Sequence, residues 1–182
     1  MSPQKKIYGV LLIIVSIFSV VIINLLFIGS SKKVQSDVPT NFYFLQNENK
    51  PIVLLYFGYT GCSYICVTAL SQLNELYSKT NQEKVAVYFV NIMTTAGESE
   101  TKSYVESFNP QFKSVVPTRE KLFEMTSLLK VNFTQSMFNK EEIDHTGFLY
   151  FLVKENDTYV QKQVYIHYPY DLELILNDID SI

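Results

Sequence analysis

The chain has 182 residues, with 15 basic side chains against 18 acidic ones and a formal charge of −3. A mildly acidic chain without a basic stripe excludes nucleic acid as a partner. Its only cysteines, Cys62 and Cys66, lie too close together for a disulfide between them to remove much chain entropy, which points to chemistry rather than reinforcement.

After a short N-terminal segment, 1–6, residues 7–29 carry no charge and are almost wholly Ile, Val, Leu and Phe. A helix of that length crosses a bilayer core of about 30 Å, and the run exceeds the roughly 7–15 apolar residues of a cleaved signal. The expectation is a retained single-pass transmembrane anchor. Lys5 and Lys6 before it balance Lys32 and Lys33 after it. The N-terminal amine tips the count towards a cytoplasmic N-terminus. The following domain is then expected on the periplasmic or extracytoplasmic side of the inner (cytoplasmic) membrane. Residues 30–50, polar and broken by Pro39, read as a linker.

Residues 51–182 read as one α/β domain. Runs 52–57, 85–92 and 148–153 are apolar on both faces, as central strands are. Residues 159–166 alternate, and Glu155-Asn156-Asp157 before them predicts a hairpin turn. Val67, Leu70, Leu73 and Tyr77 predict a helix after the cysteines. Further helices are predicted over 98–108, over 118–130 with Thr118 as its cap, and over 170–179. This βαβ unit followed by a ββα unit is the thioredoxin-like arrangement, a central mixed sheet flanked by helices. Segment 132–143 has weak periodicity and reads as a mobile loop.

In such a fold Cys62 falls at the N-terminus of the first domain helix and Cys66 one turn inside it, on the same face. Helix N-termini favour thiolate. Three intervening residues, rather than the two of thioredoxin-type redox sites, let both sulfurs turn outward to hold one ion. Thiolates suit Cu(I) or Zn, and imidazole extends both sets. His145, directly before the strand 148–153, sits where it can complete a Cys2His set, with Asp144 beside it as a candidate to orient the ring. His167 reads as a surface or turn residue, Met93 and Met137 as core filler, and Tyr56, Tyr59 and Tyr64 as packing. Thiol–disulfide exchange stays open, since it needs the same cysteines but not His145. A peroxidase site fits poorly: Thr60 is two residues before Cys62, and Arg119 is the only arginine.

The pattern Phe57-Gly58-Tyr59-Thr60-Gly61-Cys62-x-x-x-Cys66, followed by Asp144-His145-Thr146-x-x-x-Tyr150, resembles the Sco/SenC family. The resemblance runs from about Pro51 to the C-terminus. It implies a membrane-tethered, thioredoxin-fold copper chaperone that assists assembly of the copper centre of cytochrome c oxidase. The implied ligands of Cu(I) or Cu(II) are Cys62, Cys66 and His145. The implied partner is the copper-binding subunit of cytochrome c oxidase or another cuproprotein. Family members usually carry proline after each cysteine, where this chain has Ser63 and Val67. Their Asp-Pro after the second strand is Asn91-Ile92 here. The alternative is a membrane-anchored thiol–disulfide oxidoreductase cycling Cys62 and Cys66.

Overall fold

Two strands whose residues are all buried set the architecture, and they are two of the three doubly apolar runs of the sequence. In the computed structural model, which describes residues 3–28, 32–137 and 142–182, these are β2 (Ile52–Gly58) and β3 (Val85–Asn91). They pair in parallel from Ile52↔Val85 to Gly58↔Asn91. On the other side of β2, β7 (Leu149–Glu155) pairs antiparallel, with Tyr56 opposite Leu149. Adding β1 (Lys33–Thr40), β8 (Thr158–Tyr165) and β4 (Lys113–Val115) gives a six-stranded mixed sheet of order β1-β8-β7-β2-β3-β4. A separate two-stranded ribbon joins β5 (Phe133–Gln135) to β6 (Ile143–His145).

The chain divides into two units, Met1–Lys32 and Lys33–Ile182. The first contains α1 (Pro3–Ile28), whose described side chains, at 8, 9 and 11–23, are all exposed. Among the described residues no helix is long and apolar enough to cross a membrane. In the second unit α2 (Ile65–Lys79) buries Cys66, Leu70, Leu73 and Tyr77, while Val67 is 37% exposed. The inward stripe therefore starts at Cys66, not at Val67. Then come α3 (Glu98–Glu106), α4 (Arg119–Leu129) and α5 (Leu172–Asp180). Thr118 Oγ1 accepts the Lys121 N–H at the start of α4, and Asp171 caps α5 through the Leu174 N–H.

Residues 33–40 do not belong to a linker: they form β1, antiparallel to β8. Main-chain bonds hold an edge strand whatever its composition, and this one is polar because most of it faces solvent. Residues 43–45 form a 3₁₀ turn. The alternation expected along 159–166 also breaks. Phe151 faces Gln163 but Leu152 faces Gln161, so Lys162 is an extra residue, a β-bulge. Tyr159 and Gln161 are buried before the bulge and Val164 and Tyr165 after it. Lys162 turns out to Asp37 and Glu155.

Glu48, 4% exposed, fastens the segment before β2. It accepts from Lys113 Nζ at 2.6 Å, Tyr88 Oη at 2.8 Å, and the Asn49 and Lys50 N–H groups. Its carbonyl accepts from Lys154 Nζ. Burial pushes the Glu48 carboxyl up, but the bonds from Lys113, Tyr88 and Lys50 outweigh it and leave the pKa below the ordinary value. A lowered carboxyl adds stability that is complete above its unfolded pKa and is lost as pH falls through the folded one. Urea unfolding of the unit Lys33–Ile182 should thus show falling stability as the pH drops through the carboxylate range. Glu48→Gln should lose about 1–3 kcal/mol at pH 7 and flatten that slope; an unchanged slope would show that Glu48 does not carry it.

Candidate metal centre

The site forms where β2 hands over to α2. After Gly58 the chain turns back through Gly61, at φ +93°, and the Cys62 N–H closes the turn on the Tyr59 carbonyl at 3.3 Å. Tyr64, the N-cap of α2, provides no side-chain cap. Cys62 Sγ fills that role, accepting the Cys66 N–H at 3.3 Å. Cys62 thus lies ahead of the helix and Cys66 is its second residue. The sulfurs meet through the turn rather than by sharing a helical face.

His145 ends β6 and reaches the dithiol across 79 residues of sequence, with Nε2 3.4 Å from Cys66 Sγ. The ligand atoms of Cys62, Cys66 and His145 all lie within 4.8 Å of one another. Neither cysteine is in a disulfide, and both are buried, Cys62 at 5% and Cys66 at 0% exposure. A cleft of about 260 Å³ reaches Cys62 and His145 between Tyr59, Tyr64, Glu142 and Asp144. Two thiols and an imidazole form a soft donor set that fits copper or zinc.

The two sulfurs are electrically unequal. The hydrogen bond with Cys66 holds the Cys62 thiol well below its ordinary pKa against the cost of burial, with help from His145 and the Cys66 N–H. Cys66 moves the other way, raised by that same bond, by burial and by the charge on Cys62. His145 Nδ1 lies 3.3 Å from the Thr146 carbonyl, which can only accept, so Nδ1 carries the proton and Nε2 is left free as a donor to metal. Thr146 thus takes the orienting role expected of Asp144, which is exposed.

His145 is delivered by the β5–β6 ribbon, with Phe133 opposite His145 and Gln135 opposite Ile143, rather than by an irregular loop. Residues 138–141 of the expected loop lie outside the described residues. Tyr59 ties the ribbon to the dithiol turn, its hydroxyl accepting the Ile143 N–H at 3.3 Å. The rings of Tyr59 and Tyr56 stand edge-on to His145, with centroids 6.0 and 6.1 Å away. Tyr64 is 76% exposed at the mouth of the cleft. Asn91, which sequence reasoning registered only as a departure from a family pattern, is fully buried. It donates to Thr101 at 3.0 Å and to Thr60 at 3.4 Å, bracing the turn from the end of β3. His167 is exposed, as expected. Met137 is 92% and Met93 37% exposed, so neither is core filler.

A mixed sheet ending in a dithiol turn, with a histidine beside it, defines a thioredoxin-fold protein with a Cys2His centre. The SCO1/SenC family model matches residues 46–182, and the chain belongs to that family. The SCO2-like protein RP587 of Rickettsia prowazekii is 27% identical over 115 residues, 59% of this chain and 56% of that protein. The chain therefore matches little more than half the length of this curated relative. Among solved structures, apo Sco1 from Thermus thermophilus superposes with a TM-score of 0.63 at 22% identity, over 83% of this chain and 92% of that one. Yeast Sco1 with copper bound gives 0.58 at 18%, over 81% and 87%. At these identities the structures establish the shared fold.

Two outcomes follow from this geometry. Cys62 should be alkylated by iodoacetamide at pH 6, where an ordinary thiol is nearly inert, and Cys66→Ala should slow that reaction by removing the donor that stabilises the thiolate. Peptide mapping of the labelled sulfur checks this, and equal labelling of both cysteines would contradict it. A methyl group on Gly58 would lie 2.8 Å from both Cys66 Sγ and Phe89 Cε2. Gly58→Ala should therefore lower the melting temperature by several degrees, consistent with an overpacking cost of about 1–3 kcal/mol.

Proposed function

We propose that this chain is a membrane-anchored copper-binding protein that holds copper through Cys62, Cys66 and His145. In this reading it assists assembly of the copper centre of cytochrome c oxidase. The carrying observation is the convergence of three soft ligand atoms within 4.8 Å from two distant segments. Membership of the SCO1/SenC family and the likeness to a copper-bound yeast Sco1 support it. Copper here is cargo. Thiolates favour Cu(I), and the neutral Nε2 adds a donor that also suits Cu(II). The recipient is the copper-binding subunit of the oxidase or another cuproprotein.

In the same reading residues 7–29 anchor the chain in the inner membrane, with the domain on the extracytoplasmic side. The support is the sequence: residues 7–29 carry no charge and are almost wholly Ile, Val, Leu and Phe. Thiol–disulfide exchange is the second reading, favoured by one observation: the lowered pKa of Cys62 at an open cleft.

Anaerobic titration of the reduced chain with Cu(I) separates the two. One copper per chain, weakened at least tenfold by His145→Ala, is the expected result. Equal binding by both proteins would remove His145 from the site, and a chain that binds no copper but exchanges disulfides would favour the second reading.

A further inference from the structure

Inside the core, directly behind the dithiol, a buried hydroxyl faces a sulfur. Tyr56 is fully buried, its Oη forms no hydrogen bond of ordinary geometry, and the Cys66 thiol is the polar group it interacts with. It points along the face of β2 that also carries Gly58. A methyl group on Gly58 would be 2.8 Å from Cys66 Sγ and 3.0 Å from Tyr56 Cε1, so the Tyr56 ring edge and the Cys66 sulfur flank the same small gap. The ring also stands against His145. Burial, then the charge on Cys66, keeps the phenol protonated, so it can act only as a neutral donor or acceptor.

A buried hydroxyl without a well-formed hydrogen bond is destabilising, and native cores rarely keep one without a reason. A metal held by Cys62 and Cys66 supplies the reason. Metal-bound cysteine is thiolate, and Cys66, at 0% exposure, has no water to solvate the lone pairs its metal bond leaves over.

We propose that Tyr56 is a positioning residue for copper, its hydroxyl donating a hydrogen bond to the Cys66 sulfur when the metal is bound. This rests on the copper reading above. The hydroxyl stabilises charge on the inner ligand from the side opposite the cleft, while its ring holds His145 in register. The arrangement favours the loaded site over the empty one, because a hydrogen bond to a metal-bound thiolate is stronger than one to a thiol. It also lowers the energy of the sulfur donor orbital, since hydrogen bonds to a ligand tune the metal it holds.

The test uses the full chain and three proteins: wild type, Tyr56→Phe, and Tyr150→Phe. The last removes another buried hydroxyl, on the opposite face of the sheet and directed to Thr146 rather than to a sulfur. Both variants keep the ring and its packing and lose only a weakly bonded hydroxyl, so both should fold and melt close to the wild-type temperature. Reduced protein is titrated with Cu(I) against a chromophoric chelator, and the Cu(II) forms are compared by absorption. Tyr56→Phe should bind Cu(I) about tenfold more weakly, the scale of a hydrogen bond to a charged group. Its thiolate-to-copper charge-transfer band should move to lower energy. Tyr150→Phe should match wild type in both. Wild-type affinity and an unshifted band in Tyr56→Phe would overturn the inference while leaving the copper reading intact. Equal losses in both variants would also overturn it, by making the effect one of general packing. A wild-type chain that takes up no copper would overturn the copper reading and this inference with it.

Discussion

A sulfur atom stands where a helix cap ordinarily would. The first-turn N–H groups of α2 need an acceptor, and Tyr64 offers none, so the Cys66 N–H turns to Cys62 Sγ. That bond commits both cysteines: Cys62 is held back against the helix end, and Cys66 is driven into the core beside the bare Cα of Gly58. Much of the neighbourhood then supports this one junction. Asn91 braces Thr60 from the adjacent strand, and the Tyr168 hydroxyl bonds the Ile65 carbonyl on the first turn of α2. The Tyr170 hydroxyl donates to the Gly147 carbonyl, in the loop that joins His145 to β7. Built on such rigid elements, the two cysteines keep their geometry without help from a metal.

The elements legible in the sequence are those whose burial is periodic or complete. Strands at 52–58, 85–91 and 149–155 announce themselves because both faces are covered, and α4 announces itself through Thr118. What could not be read has the opposite character. β1 is polar and mostly exposed, so its composition looks like a linker, while its place in the sheet depends on β8 far along the chain. β4, β5 and β6 are three residues each, shorter than any period can reveal. The bulge at Lys162 inverts an alternation that the residues display faithfully. Of the site, all three candidate ligands were legible from residue type, spacing and resemblance. The hydroxyls were not: nothing in a run of apolar residues marks Tyr56 as facing a sulfur, or Tyr59 as accepting from Ile143.

The three candidate ligands are held with unequal firmness, and on the proposed reading this bears on how a cargo can both bind and leave. Cys66 is anchored in helix and core, and Cys62 in a turn closed by its own N–H. His145 rides on a ribbon of two three-residue strands, and the side chains of β5 are all exposed. Segments with few buried contacts open at lower free energy than the core does. On the proposed reading a metal would meet two ligands in fixed positions and a third whose support can yield, with the Tyr59–Ile143 bond as a tie between the two parts.

The same inequality sets the order of any chemistry at the sulfurs. An incoming group enters through the cleft, where Cys62 forms part of the lining and Cys66 does not. Cys62 is also the sulfur with the lowered pKa, so accessibility and nucleophilicity coincide on one atom. Cys66 can take part only after Cys62 has been engaged, whether that partner is a metal ion or another sulfur. Metal binding and disulfide exchange therefore begin with the same contact and diverge only at the next one. A metal ion recruits His145 as well as Cys66, whereas exchange calls on Cys66 alone. The imidazole, its Nε2 kept free by the Thr146 carbonyl, is the group in this pocket that serves one chemistry and is idle in the other.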